Sequence, residues 1–447
     1  MDNNIAKTRQ MESENIFRLI MKFSAISFCS LLFDALYNIV DTLFVGRGVG
    51  NDAMGGVSII MPFMLIQSAI AQMVGGGAAS IVSRLLGKGE YEKAGSVTAN
   101  AMAFFYISAV IVSVTGFAFM SPILRLLGAT GDILPYAREY FTVMLIGNVF
   151  STGFSSIIRA EGRVRYSLLI WLIPTLVNIV LDAVFIYGLD MGVTGAALAT
   201  VICYFTSFTM MVIFFKKYSC QKFTRIKISL KTCGRILTIG IPTLLQIGGI
   251  SVLFLIINNL ISKTDGTNGI NTFAYLSRII TFAIVPFNAI SQAISPIISY
   301  NWGAGNNSRV KSAVKISMIL CEIYAILAMI LGIYESHLFI KLFTDDAGIL
   351  SAGSSAVKII SAALPFVALT VITGSYFQAV GKRAASISAY LSILVFLILF
   401  AMILSVRYGL NGIWISIPLA CVLSAITAVI LLTVHKKKEN KLSGFPK

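Results

Sequence analysis

Twelve continuous apolar stretches run along the chain, at roughly 19–45, 57–82, 95–120, 136–158, 167–187, 193–215, 237–261, 273–299, 312–334, 354–379, 386–406 and 412–434. A helix that crosses a bilayer takes about 20 residues, so each stretch reads as one span. The apolar runs are unbroken. A transmembrane β-barrel, whose strands alternate polar and apolar residues, is excluded. Short polar turns join the spans except at 216–236, where a basic linker divides the chain. The pattern predicts an all-α polytopic membrane protein of twelve transmembrane helices in two six-helix lobes, 19–215 and 237–434. Residues 1–18 and 435–447 are then a polar leading segment and a basic tail.

Composition sharpens the picture. Of 447 residues, 57% are hydrophobic and 12% charged, whereas soluble domains carry about 25% charged residues. Disorder needs the opposite balance. The net charge of +16 would suggest nucleic acid in a soluble protein, but the basic residues sort by loop. Most of the 35 Lys and Arg fall on one side, including Lys7 and Arg9, Arg84 and Lys88, Arg159 and Arg163, the linker, and Lys436–Lys438. The positive-inside rule places both termini in the cytoplasm of a cell-membrane protein, and no nucleic acid is implied. The six cysteines contain no CxxC pair and read as small core residues and cytosolic thiols. No cleavable signal peptide is expected; the first span is the insertion signal.

The halves repeat. Gly87-Lys88-Gly89 after the second span is matched by Gly303-Ala304-Gly305 after the eighth, 216 positions on. The loops Ala160-Glu161-Gly162-Arg163 and Ala379-Val380-Gly381-Lys382 match at 219. Tyr187-Gly188-Leu189 with Gly195, and Tyr408-Gly409-Leu410 with Gly412, form a third pair. An even number of spans per repeat gives the two halves the same orientation, about an axis along the membrane normal. This is transporter architecture.

Ionisable residues inside spans are costly and mark function. Asp34, Asn38 and Asp41 lie at i, i+4 and i+7 in the first span, on one helical face. Thr175, Asn178 and Asp182 form a second stripe in the fifth span, and Thr200 follows in the sixth. Carboxylate, amide and hydroxyl oxygens are the ligands a hard cation takes. The same groups also serve as hydrogen bonds between helices. The second half keeps no equivalent acids: Asn258 stands where Asp41 would repeat, and Glu322 is its one deep acid. A coupling site therefore belongs in the first half. Met61, Met64, Phe150 and Phe154 are candidates for lining a substrate cavity, or plain core. Gly46-Arg47-Gly48-Val49-Gly50 lacks the lysine-hydroxyl ending of a phosphate loop. With only His337 and His435, a histidine metalloprotease has no ligands.

Asn38-Ile-Val-Asp41-Thr-Leu-Phe-Val-Gly-Arg, Ala79-Ser-Ile-Val-Ser-Arg-Leu-Leu-Gly-Lys-Gly and Gly409-Leu-Asn-Gly-Ile-Trp-Ile-Ser-Ile-Pro418 resemble signature stretches of the multidrug and toxic compound extrusion (MATE) transporters. The likeness extends over all twelve spans and is nearest the prokaryotic MepA-like and DinF-like branches. The NorM-like branch carries an acid in the seventh span, where this chain has Gln246. The resemblance implies antiport of entering Na⁺ or H⁺ against organic, often cationic, drugs. It assigns the cation site to Asp41, Asn178, Asp182 and Thr200, which serve as metal ligands if Na⁺ is the coupling ion. Asp34, Asn38, Met61, Met64, Phe150, Phe154 and Thr175 are expected around the substrate cavity. No cofactor beyond the coupling ion is expected, and the partners are small drugs and membrane lipids around a functional monomer. The alternative within the same superfamily is a lipid-linked oligosaccharide flippase, which calls for a cationic groove where these charged residues are acidic. A membrane enzyme lacks a nucleophile–base or metal constellation.

Overall fold

The computed structural model describes residues 2–442 except 130, 132, 152, 224–227 and 345. Side chains at 2, 3, 34, 35, 37–39, 41–43, 51, 247, 250, 251, 266–268, 271 and 438–442 also lie outside the description. The regular structure of the described backbone is all helical, with no strand. In chain order the helices are α1 (Asp2–Ser13), α2 (Ile16–Gly48), α3 (Asn51–Gly87), α4 (Tyr91–Ala118), α5 (Met120–Leu126), α6 (Ile133–Gly147), α7 (Ser155–Ala160) and α8 (Val164–Asp182). They continue as α9 (Gly192–Ile213), α10 (Leu230–Thr264), α11 (Gly266–Gly303), α12 (Asn307–Tyr334), α13 (Ser336–Lys341), α14 (Ala347–Ser361), α15 (Leu364–Ala379) and α16 (Arg383–Leu442).

Nine segments among the described residues are long and apolar enough to cross a membrane, and the bent pair α14–α15 makes a tenth. The remaining expected spans are present inside longer helices. Spans 386–406 and 412–434 are both in α16, which breaks at Gly409 with φ 56° and ψ −135°. The seventh expected span lies on α10, which carries the shorter apolar stretch Val252–Thr264. The 48° bend between α14 and α15 precedes Pro365, which starts the second helix instead of kinking one.

Two compact units divide the chain. The first comprises Met1–Glu14, Ala25–Gly240 and Ser299–Gly305; the second comprises Asn15–Ser24, Ile241–Ile298 and Asn306–Lys447. The first unit has a core of Val45, Val57, Ile60, Phe141, Leu145 and Ile186, with Phe63 edge-on to Phe141 at 4.9 Å. The second is built on Leu253, Ile257, Phe273, Leu397, Ile413 and Trp414, with Phe273 stacked on the Trp414 indole at 6.0 Å. A hydroxyl ladder also ties the second unit: Ser392 and Thr370 both meet Ser424, at 2.8 and 3.1 Å. Gln246 donates to Asn288 at 3.0 Å, so the amide in the seventh span serves a helix contact.

Backbone torsions record the duplication. Gly89 and Gly305 have φ of 75° and 76°, and Gly162 and Gly381 have 78° and 80°. Gly192 and Gly409 have 57° and 56°. Gly89, Gly162, Gly305 and Gly381 follow helix ends, where a left-handed φ favours glycine, while Gly192 opens α9 and Gly409 breaks α16. The third landmark therefore pairs Gly409 with Gly192, not with Gly188.

The basic linker is fastened to the first unit by polar contacts. Thr98 on α4 donates to Gln221 at 2.6 Å, and the Ser229 amide donates to Asn100 at 2.7 Å. At the centre is Glu161, fully buried in the loop between α7 and α8. Its carboxyl accepts from the Ser219 hydroxyl (2.6 Å), the Cys220 amide (2.8 Å) and the Gln221 side chain (2.7 Å). Burial raises the Glu161 pKa from its ordinary value, against the lowering effect of those three donors. A carboxyl with a raised folded-state pKa favours the fold while protonated; that contribution is lost as pH rises through the folded value. Thermal unfolding in detergent should accordingly show wild type losing stability relative to Glu161→Gln as pH rises above the ordinary carboxylate range. Glu161→Ala should cost more at every pH, because it strands buried donors at about 1–3 kcal/mol each. A wild-type curve parallel to that of Glu161→Gln would remove the titration argument.

Candidate cation-coupling site

The polar stripe of α8 is buried. Asn178 and Asp182 are 0% exposed, Thr200 on α9 is 2%, and Thr175 lies one turn earlier on the same helix, also buried. In a hydrocarbon environment such side chains persist only where another helix meets them. That helix is α9, which Tyr166 joins by donating to the Met210 carbonyl at 2.8 Å. Ser207 donates to the Ile170 carbonyl at 3.4 Å.

Asn178 is the bridge. Its amide NH₂ donates to Asp182 Oδ2 at 3.1 Å, and its carbonyl oxygen accepts from the Thr200 backbone N–H at 3.2 Å. The amide orientation follows from this hydrogen-bond network. The Thr200 hydroxyl donates back to Ala196 O at 3.1 Å. Directly after Asp182 comes the π-helical turn Ala183–Gly188, closed by Leu189 N donating to Val184 O at 2.9 Å. Such widened turns re-aim side chains and recur at functional sites. Here the turn begins at the residue following the carboxylate.

Three predicted ligands, Asn178, Asp182 and Thr200, are thus brought together with Thr175 beside them. The predicted residues Asp34, Asn38 and Asp41 lie outside the described side chains. Met61 is 44% exposed on α3, and Met64 packs against the core of the first unit. Phe150 meets Phe205 and Phe208 with ring centroids at 5.3 and 6.0 Å. Phe154 is 1% exposed and edge-on to Phe105 at 5.5 Å. Among the described residues no three His, Cys, Asp or Glu side chains gather as a metal cluster. An oxygen-ligand site built on one carboxylate plus amide and hydroxyl groups is a different donor set, suited to a monovalent hard cation or to a proton.

The MatE family model matches residues 26–184 and 242–404, one segment in each half. The chain belongs to the MatE family. MepA multidrug export protein of Staphylococcus aureus strain N315 is 28% identical over 434 residues, covering 94% of this MATE chain and 95% of that protein. MepA of Staphylococcus haemolyticus strain JCSC1435 is 25% identical over 429 residues, covering 94% of each. Among solved structures, an outward-facing multidrug resistance MATE transporter of the MOP superfamily has a TM-score of 0.87 at 24% identity, covering 98% of both chains. A MOP superfamily transporter from Pyrococcus furiosus has 0.86 at 22%, again over 98% of both. The fold of this MATE chain is that of the MATE/MOP transporters.

Sequence reasoning missed two features around the site. The π-helical turn has no signature in Ala183–Gly188, which reads as ordinary apolar span. The buried Glu161 stands in a loop marked by its glycine and its arginines, and an acid in a short loop is normally solvated.

Proposed function

We propose that this chain exports organic, often cationic, compounds in exchange for Na⁺ or H⁺ entering the cell, by alternating access in the cell membrane with both termini cytoplasmic. The observation that carries the reading is the buried Asn178–Asp182–Thr200 cluster in one repeat of a duplicated MATE scaffold. Support also comes from relatives named multidrug export proteins, similar over nearly their whole length.

In this reading Asp182 carries the coupling charge, with Asp41 of the first span as the second carboxylate. Burial in a low dielectric disfavours two adjacent charges, so the pair holds either a proton or a cation. The amide oxygen of Asn178 faces the Thr200 backbone, away from Asp182. Ligation of Na⁺ by that oxygen therefore requires the amide to turn over, exchanging its present hydrogen bonds for the ion. Asp34, Asn38, Met61 and Met64 are assigned to the drug cavity, where the negative charge of Asp34 favours cationic substrates. The protein works as a monomer and requires no cofactor beyond the coupling ion.

Ethidium efflux from proteoliposomes, with the Na⁺ and pH gradients imposed separately, tests the proposal. One gradient should drive efflux with the other held flat. Efflux driven by Na⁺ at symmetric pH assigns the oxygen cluster as a metal site, and efflux driven by pH alone assigns it as a protonation switch. If neither gradient moves ethidium, drug antiport fails and the flippase alternative takes its place.

A further inference from the structure

The leading helix α1 has few apolar residues, and at 12 residues it is too short to hold its helicity in water unaided. Its fold therefore depends on what it docks against. Asn4, Thr8 and Met11 lie at i, i+4 and i+7, on one face. Ala6, Lys7, Arg9, Gln10, Glu12 and Ser13 are exposed on the other.

Asn4 and Thr8 both grip the α7–α8 loop and the linker, and Met11 reaches the end of α11. Asn4 donates to Lys217 O at 3.3 Å and accepts from Arg163 Nη2 at 2.7 Å. Thr8 is buried, donates to Glu161 O at 3.0 Å, and has its hydroxyl 3.4 Å from Cys220 Sγ. Met11 is buried over Gly162, and its carbonyl accepts from Asn301 Nδ2 at 2.9 Å.

Asn301 gives the arrangement its meaning. It belongs to Ser299–Gly305, the end of α11, which packs in the first unit while the rest of that helix belongs to the second. Its neighbours Tyr300 and Gly303 cross Gly87 and Arg84 of α3 backbone to backbone. The helix α1 thus covers the place where the end of α11 is held. Any rearrangement that withdraws that end from the first unit must break the Asn301–Met11 bond.

We propose that α1 is a latch that clips the α7–α8 loop, the linker and the end of α11 together, and must release once per transport cycle. This rests on the transport reading above. In Thr8→Cys the new thiol faces native Cys220, and copper phenanthroline joins two apposed thiols as a disulfide while accepting their two electrons. Reduced Thr8→Cys should move ethidium like wild type. The oxidised chain should lose most of its efflux and regain it with dithiothreitol, while wild type given the same oxidant is unchanged. Full efflux from the cross-linked chain overturns the latch.

A second measurement needs no substitution. Cys220 is fully buried beneath α1, and burial together with the Glu161 carboxylate pushes its thiol well above the ordinary range, so it reacts slowly while covered. N-ethylmaleimide labelling of Cys220, read by peptide mass spectrometry, should be several-fold faster during ethidium efflux than at rest. Equal rates overturn the proposal. Absence of efflux from untreated wild type counts instead against the transport reading itself.

Discussion

Asp182→Asn should leave a folded, membrane-inserted protein that cannot concentrate ethidium against a gradient. The substitution keeps size and shape, and an amide oxygen at 182 still accepts from the Asn178 NH₂ that now meets Oδ2 at 3.1 Å. Packing of α8 on α9 should survive, with a cost near that of one weakened hydrogen bond, about 1 kcal/mol. The ability to take up and release a charge is what disappears. A tenfold Na⁺ or H⁺ gradient is worth about 1.4 kcal/mol, so one-for-one exchange sustains about a tenfold opposed ethidium gradient. In proteoliposomes the steady-state ethidium ratio of the variant should fall to one. A variant that still holds a ratio near ten would remove Asp182 from the coupling step. Thr200→Val is the contrast: its hydroxyl is engaged with Ala196 O, so the variant should stay coupled at reduced cation affinity.

The parts of this chain that the sequence exposed are those where one physical rule dominates. Apolar length alone marks the spans, because a bilayer admits no other solution for twelve such stretches. The α8 stripe was legible for the same reason: a carboxylate, an amide and a hydroxyl at helical spacing within hydrocarbon must share one face and meet another helix. Thr200 was reachable because a short turn brings α9 alongside. The duplication was readable in its glycines, since a left-handed helix end admits few other residues, and φ values of 75° and 76° at Gly89 and Gly305 give the reason.

What stayed hidden depends on the balance of many weak terms. Nothing in Ala183–Gly188 announces a π-helical turn, because the extra residue per turn is selected by packing on both sides of it. The segment holding Asn4, Thr8 and Met11 is polar and reads as solvated; its docking rests on backbone and side-chain partners supplied from far along the chain. Glu161 looks like a surface acid until its partners Ser219, Cys220 and Gln221 are known, about sixty residues away. Side-chain spacing reports which residues share a helix face, but not which distant loop will satisfy them.

The crossing of α3 by the end of α11 is the second place where a small change should have a large effect. A Cβ on Gly87 would overlap the Tyr300 carbonyl oxygen, and a Cβ on Gly303 would overlap the Arg84 carbonyl oxygen. Positions 84 and 300 are separated by the same 216 residues as 87 and 303, so the two repeats exchange one contact reciprocally. Backbones this close leave no flexible side chain to give way. Gly87→Ala or Gly303→Ala must push two helices apart, and overpacking of this kind costs about 1–3 kcal/mol. The double variant is the informative one. Both methyls act along the same line of separation, so a gap opened for the first already accommodates part of the second. Its loss of thermal stability in detergent should approach that of the worse single variant and fall clearly short of the sum. Additive losses would mean that the two glycines relieve separate contacts, and the reciprocal crossing would then not act as one unit.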